Sequence, residues 1–578
     1  MKKLLVYLKD YKKESVLAPL FKLLEASFEL IVPLVVASII NVGIEGNDKT
    51  YIFKMCAVLV ALAAIGFASA VTAQFFAAKA AIGFSTKLRM ALFKHIESLS
   101  FSEMDTIGTS TLITRMTSDI NQVQSGVNMF LRLFLRSPFI VFGAMIMAFT
   151  VDVKGALIFV VTIPLLSLIV FGVMLISMPL YKKVQGNLDK ILGRTRENLE
   201  GARVIRAFNK EQNEIAVFRE ENEQLTNMQL LVGKISALMN PLTFIIINCA
   251  TIVLVYVGAR QVDSGVLLKG DVVALVNYMS QILVELVKLA NLIILINKSL
   301  ACADRIEDVF EQESSISANN DKTPLEAIEG ACRVEFNNVS MSYAKAKAES
   351  LKNIDFKVKR GETVGIIGGT GSGKSSLVNL IPRFYDVSQG SIMVDGHDVR
   401  EYPLSQLRDK VGVVMQKAVL FKGSIAENLR WGKADATEEE MWKALEVAQA
   451  LDVVKGKEGQ LDYQIDQGGR NLSGGQRQRL TIARALVKDP EILIFDDSAS
   501  ALDFATDAAL RKALANMQGD KTIFIVSQRT SSIQQADKIV VLDDGEIVGI
   551  GNHDQLLVGC ETYREIYDSQ FKKEKGGV

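Results

Sequence analysis

Three long runs without a single charged residue constrain this 578-residue chain more than anything else in it: Met55 to Ala78, Gly155 to Tyr181 and Ile235 to Ala259. A helix needs about 20 mostly apolar residues to cross the hydrocarbon core of a bilayer. Soluble cores rarely need apolar stretches of that length, so the runs predict membrane-spanning helices. Three further segments complete the set although they carry charge. Val16 to Ile44 contains Lys22, Glu25 and Glu29; Val127 to Val151 contains Arg132 and Arg136 near its start; Val272 to Asn297 contains Glu285 and Lys288. Six spans are expected.

The loops orient them. The short connections near residues 45–49, 152–154 and 260–271 hold about four Lys and Arg, whereas the N-terminal arm and the stretches 79–126 and 182–234 hold about twenty. Positive residues stay inside, which predicts both termini in the cytoplasm and a multi-pass protein of the plasma (inner) membrane. The opening MKKLLVYLKDYKKE is basic and amphipathic, has no small-residue cleavage site, and reads as a helix on the cytoplasmic membrane surface. The two long inner stretches contain no proline and carry apolar residues at helical spacing. They read as rigid helical levers in the cytosol, with tips near Phe101–Gly108 and Phe208–Glu214. Glu285 and Lys288 lie three apart and share a helical face, either as a structural pair or lining a translocation path. Glu25 and Glu29 near the inner end of the first span suit structural or interfacial roles.

After Asn297 the composition changes. Residues 311–330 are polar and irregular and read as a linker between a membrane domain (1–310) and a second domain (331–578). In that domain β-rich runs alternate with helical stretches: RVEFNNVSM, TVGIIG, GSIMVDG, VGVVMQ, EILIFDD, KTIFIVS and KIVVLDDGEIVGIG. This alternation predicts an α/β domain on a largely parallel sheet. Sixty-five basic residues balance 65 acidic ones, so no net field favours nucleic acid. The five cysteines, Cys56, Cys249, Cys302, Cys332 and Cys560, have neither metal spacing nor the arrangement of a disulfide framework.

The chemistry sits at strand ends. Gly368, Gly369, Thr370, Gly371, Ser372, Gly373, Lys374 and Ser375 follow the apolar strand TVGII and open a helix that continues with Ser376. This is a Walker A loop in its required context. Its glycines let backbone N–H groups wrap phosphates, Lys374 reaches the outer phosphates, and Ser375 offers its hydroxyl to Mg²⁺. Asp496 ends the buried strand EILIFD about 120 residues later and supplies a carboxylate for Mg²⁺. ATP and Mg²⁺ are the expected ligands.

Between these motifs lies Leu472-Ser-Gly-Gly-Gln476, followed by a helix with Arg477, Arg479 and Arg484. The string resembles the signature of ATP-binding cassette (ABC) proteins, and six spans followed by such a cassette resemble the exporter branch of that family over nearly the whole chain. The fold implied is a helical membrane domain joined to an α/β nucleotide-binding domain. By the same resemblance Tyr343 stacks on adenine, and Gln416 touches Mg²⁺ and senses the γ-phosphate. Ser500 to Asp503 forms the loop that communicates across a dimer, and Asp466 to Arg470 meets the levers.

Two residues depart from the family pattern. Where the family places a glutamate base after the second motif, this chain has Asp497; where it places a histidine on the γ-phosphate, this chain has Gln528. The three histidines, His95, His397 and His553, lie elsewhere in the order of the chain. Aspartate reaches about 1.5 Å less than glutamate, and glutamine can neither take a proton nor carry imidazolium charge. The pair predicts a site that binds ATP and turns it over slowly. In the family each ATP lies between one chain's Walker A loop and the other's signature. With its own catalytic pair altered and Ser473, Gly474 and Gly475 intact, this chain resembles the degenerate-site subunit of bacterial heterodimeric multidrug exporters. The expected partner is a homologous half-transporter bringing the glutamate and histidine, in a lipid bilayer, moving small hydrophobic or amphipathic compounds. A homodimeric lipid flippase and an ATP-gated regulatory or channel-like subunit are the alternatives. Six spans and zero net charge argue strongly against a soluble ABC ATPase acting on nucleic acid or ribosomes.

Overall fold

A computed structural model describes residues 3–316, 323–344, 346, 348–517 and 520–571. The chain divides into two compact units, one of Met1–Glu97 and Ser110–Gln312, the other of Ser98–Thr109 and Glu313–Val578. Residues 317–322 of the expected linker, and the last seven residues of the expected second domain, lie outside the described residues.

Among the described residues, six helices are long and apolar enough to cross a membrane: Lys3–Ile44, Lys49–Ser98, Thr109–Val151, Val153–Glu200, Glu211–Asp263 and Lys269–Phe310. All six expected spans fall within them. At 1.5 Å per residue, the 50 residues of Lys49–Ser98 extend about 75 Å, far beyond the roughly 30 Å hydrocarbon core. The helix is thus long enough to cross a bilayer and extend well beyond it. Small side chains let the helices approach closely. Ala73, Ala77, Ala80 and Ala81 are buried on Lys49–Ser98, and a Cβ at Gly270 would meet the Ala37 carbonyl oxygen at 2.4 Å. Elsewhere Phe53, Leu168 and Ile252 stand exposed, as lipid-facing residues do. The turn at Asp152 is tied twice: its carboxylate accepts from Gly155 N (2.6 Å) and from Gln261 Nε2 (3.0 Å).

The first expected lever tip coincides with a short helix, Phe101–Ile107, opened by a Ser100/Glu103 capping box and closed at Gly108, whose φ of 82° suits glycine. The second expected tip, 208–214, holds the turn between the helices Ala202–Ala207 and Glu211–Ala237. Phe208 to Lys210 form that turn, with Asn209 at φ 50°. Asparagine tolerates the left-handed region, which lets the chain turn there.

In the second unit the strands are β1 (Val334–Met341), β2 (Leu351–Val358), β3 (Thr363–Gly368), β4 (Gln389–Val394), β5 (His397–Asp398), β6 (Val411–Val414), β7 (Gly423–Ser424), β8 (Gln464–Ile465), β9 (Ile492–Asp496), β10 (Thr522–Val526), β11 (Lys538–Asp543) and β12 (Glu546–Gly551). Six form a sheet in the order β12-β11-β3-β10-β9-β6, parallel except for β12. Its interior strands β3 and β9 are nearly wholly buried, and they carry the two phosphate-site motifs at their carboxyl ends. A second, antiparallel sheet, β2-β1-β4-β5, was not expected beside the parallel one. Its strand β2, LKNIDFKV, went unread although it alternates buried and exposed residues with period two, the mark of a half-solvated antiparallel strand.

Candidate functional site

β3 delivers the chain to a loop that only glycine can make. Gly371 and Gly373 have φ of +88° and +94°, and a Cβ at Gly373 would lie 2.8 Å from the Ser350 carbonyl oxygen. Gly368 abuts the backbone of β11, where a Cβ would meet Leu542 O at 2.1 Å. The loop curls over Lys374, which is buried and donates to Gly369 O (2.6 Å), Gly368 O (3.1 Å) and Ser372 Oγ (3.4 Å). Burial lowers the Lys374 pKa, against the pull of Asp497 and Asp496. An ammonium held in a dry loop by neutral oxygens alone can exchange them for phosphate oxygens.

Opposite it stand two adjacent carboxylates. Asp496 ends β9 and accepts from Ser375 Oγ at 2.8 Å; burial raises its pKa. Asp497 follows at φ 44°, its N–H bonded to Val526 O at 3.0 Å. It accepts from Gln416 Nε2 at 3.4 Å, and burial raises its pKa too, against Lys374 and Arg529. A cavity of about 470 Å³ joins Tyr343, Thr370, Gly371, Gly373, Lys374, Ser375, Ser376, Gln416, Asp496, Asp497 and Gln528. That volume lies within the about 300–1,000 Å³ of small-molecule sites. Gly368, Gly369 and Ser372 do not line it; they shape the loop and hold Lys374. Tyr343 OH shares a hydrogen bond with Ser376 Oγ at 2.8 Å.

The oxygens of Ser375, Gln416 and Asp496 are hard donors, and among the described residues no group of three or more His, Cys, Asp or Glu could cage a metal unaided. One carboxylate plus phosphate oxygens is how Mg²⁺ is bound in nucleotide sites, so the residues present fit Mg-ATP.

Ser473, Gly474 and Gly475 do not join this cavity. Ser473 caps the helix Gly474–Val487, accepting from Gln476 N at 3.3 Å, and both Ser473 and Gly474 are exposed. Beyond the Ser473 cap, the two glycines put no side chain over the first turn of this 14-residue helix, whose N-terminus favours an anion brought from outside. Ala501 O lies 3.2 Å from where a Cβ at Gly475 would stand, so the 500–503 loop and the signature are neighbours. Gly468 and Gly469, at φ 72° and 67°, make the tight turn of the 466–470 segment.

Two residues at the site escaped sequence reading. Tyr385 sets its ring edge-on to Tyr343 at 5.2 Å and donates to Asp105 Oδ2 at 2.7 Å, while Phe101 packs on Phe384 at 4.7 Å. The short helix Phe101–Ile107 is thus two side chains away from the cavity. The aromatic pair Phe384-Tyr385 just beyond the Walker A helix was the available signal. Gln570, near the chain's end, donates to Gln528 O at 2.7 Å and accepts from Thr530 N at 2.9 Å. It had no sequence signal, being a polar residue at the end of an amphipathic helix.

Comparison with known proteins gives a consistent picture. Residues 15–286 match the family model described as the ABC transporter transmembrane region, and residues 351–500 that described as ABC transporter. An ABC transporter ATP-binding protein of Mycobacterium bovis is 36% identical over 577 residues, 99% of this chain and 98% of that protein. A Bacillus subtilis protein named for multidrug export as an ATP-binding/permease protein is 33% identical over 583 residues, 99% of each. An ATP-dependent lipid A-core flippase of Desulfotalea psychrophila is 33% identical over 482 residues, 83% of this chain and 84% of that protein. A solved bacterial Atm1-family ABC exporter with ATP bound matches with a TM-score of 0.79 at 22% identity, over 97% of this chain and 98% of that one, a likeness of fold.

Proposed function

We propose that this chain, which belongs to the ABC transporter family and has its exporter fold, is the subunit of an ATP-driven heterodimeric exporter that carries a degenerate, slowly hydrolysing ATP site. ABC exporters work as dimers in the lipid bilayer and couple an ATPase to transport. In this reading residues 1–310 form the membrane domain, 311–330 the linker and 331–578 the cassette, on the cytoplasmic side of the inner membrane. The cargo is a hydrophobic or amphipathic small compound, in keeping with the multidrug-export name of the Bacillus subtilis relative.

One observation carries the proposal: Asp497 and Gln528 line the same cavity as Lys374, Ser375 and Asp496. The residues suited to grip Mg-ATP are all present, while both positions expected to activate water are altered. Lys374 would hold the outer phosphates, Tyr343 would stack on the base, and Ser375, Gln416 and Asp496 would hold Mg²⁺, which supplies charge neutralisation at the phosphates. Asp497 is left to orient water from too far back, and Gln528 to donate a hydrogen bond without charge. Ser473, Gly474 and Gly475, unused by this cavity, would complete the partner's site.

The purified chain in self-paired form is expected to bind ATP yet hydrolyse it slowly, and to gain turnover only with a homologous half-transporter bearing the glutamate and histidine. Rapid cleavage in both pockets of the self-paired assembly refutes the asymmetric reading. Nucleotide binding also acquires a pH dependence. Burial raises the Asp496 pKa, and protonation removes the charge that Mg²⁺ needs. Mg²⁺-dependent ATP affinity is therefore expected to fall on acidification at a higher pH than an ordinary aspartate would set, and Asp496→Asn should remove that part of the dependence while the nucleotide's own phosphate still titrates. Titrations of ATP at fixed free Mg²⁺ across pH check it.

A further inference from the structure

The membrane unit contains charges that the ATP reaction does not use. Glu285 and Arg136, with side chains only 3% and 7% exposed, meet at 2.7 Å. Glu285 is fully engaged: Oε1 accepts from Arg136 Nη1 and, at 2.9 Å, from Lys288 Nζ, and Oε2 accepts from Ser137 Oγ at 2.8 Å. Arg136 also reaches Glu29 Oε2 at 2.7 Å. The outer members of this relay are open, Glu29 with 41% and Lys288 with 44% of the side chain exposed. A buried salt bridge therefore fixes two accessible groups of opposite sign.

Both groups face the same space. A cavity of about 490 Å³ between the first and last spanning helices is lined by Glu29, Gln281, Glu285 and Lys288, with the smaller polar Asn277 and Ser280, among apolar residues such as Val32 and Val284. The Oε1 of Gln281 is buried there without a hydrogen-bond partner. A second cavity of about 560 Å³, lined by Phe28, Leu62 and Phe67, also meets Glu29. The walls thus offer a carboxylate, an ammonium and an amide beside an apolar lining that suits a hydrocarbon chain. Ionisable groups inside a membrane domain are expensive and mark ligand pathways. A pocket with one net charge would select ions of the other sign; here the Glu285 carboxylate, which also lines the cavity, is offset by the buried Arg136, so the exposed Glu29 and Lys288 balance each other.

We propose that this cavity binds amphiphiles whose polar end carries both a cationic and an anionic group, the cation on Glu29 and the anion on Lys288. The inference rests on the export reading above for its consequence, transport, but not for binding. The test uses the full chain in lipid nanodiscs and three probes of equal chain length: hexadecylphosphocholine, hexadecyltrimethylammonium and hexadecyl sulfate. The zwitterion is expected to bind tightest. Glu29→Gln should weaken the zwitterion and the cation about tenfold and spare the sulfate, and Lys288→Met should weaken the zwitterion and the sulfate and spare the cation, since charge-assisted hydrogen bonds are the stronger ones. The spared probe shows that each variant is folded. Equal affinity for all three probes, or equal weakening of all three by either substitution, overturns the proposal. Competition by phosphocholine without its chain would make the ligand a soluble zwitterion; competition by the long-chain form alone makes it a membrane lipid or lipid-like compound. ATP-dependent movement of the zwitterion in proteoliposomes containing the complete transporter separates the two readings. Charge-selective binding without movement refutes export and leaves the site standing, and movement without charge selectivity does the reverse.

Discussion

Asp497→Glu combined with Gln528→His is expected to raise ATP turnover at this chain's own site by about 10²-fold or more, in an assembly whose partner site has been disabled. The argument is geometric before it is electrostatic. Asp497 sits at φ 44°, with its backbone pinned to Val526 O and its carboxylate 3.4 Å from Gln416 Nε2. The backbone therefore cannot advance to make up for a side chain one methylene short. An error of about 1 Å at a reacting group costs about 10²-fold in rate. Glutamate restores the reach, at a small cost in folding because longer side chains tolerate the left-handed region less well than aspartate. Histidine at 528 restores a group able to bear charge beside the phosphates, on a segment whose backbone is already held by Gln570. Each single change should recover only part of the gain, because water activation and charge stabilisation act on one transition state and are not additive. ATP affinity should change little, since Lys374, Ser375 and Asp496 are untouched. If the double variant gains nothing while still binding ATP, the slow step lies outside these two positions.

What could be read beforehand follows from how local each signal is. The charge-free runs and the Walker A octet are continuous in sequence, and each dictates its own structure: a helix long enough to span, and a glycine loop at the end of a buried strand. The convergence of Asp496, Gln416 and Gln528 on Lys374 was also accessible, because parallel strands in one sheet bring their carboxyl ends to one edge. The partners of Glu285 were not. Its neighbour Lys288 lies one helical turn away and could be paired on spacing, but Arg136 is 149 residues earlier. Only the packing of the spanning helices brings them together. Tyr385 and Gln570 escaped for the same reason: each acts through a contact with a distant segment, and neither residue type is unusual where it stands.

The second large effect concerns that distant pair. Glu285→Leu is expected to destabilise the membrane domain by about 1–3 kcal/mol, because it removes one of the two carboxylates on the buried Arg136 guanidinium and leaves Glu29 as the other. Arg136→Met in the same chain should recover most of the loss, since an apolar pair of similar volume bears no desolvation cost. Unfolding of the purified protein in mild detergent, followed for both single variants and the double, measures the coupling. Equal destabilisation by the single and the double variant would mean that the pair holds the helices together rather than merely tolerating burial. Recovery in the double variant has a further consequence. A buried ion pair that apolar residues can replace without loss contributes little to stability, so its place in the bilayer needs another reason. Here that reason is positional: Arg136 and Glu285 hold Glu29 and Lys288 apart and accessible, with opposite charges on one cavity wall. The double variant should then stay folded and lose its preference for zwitterionic over singly charged probes.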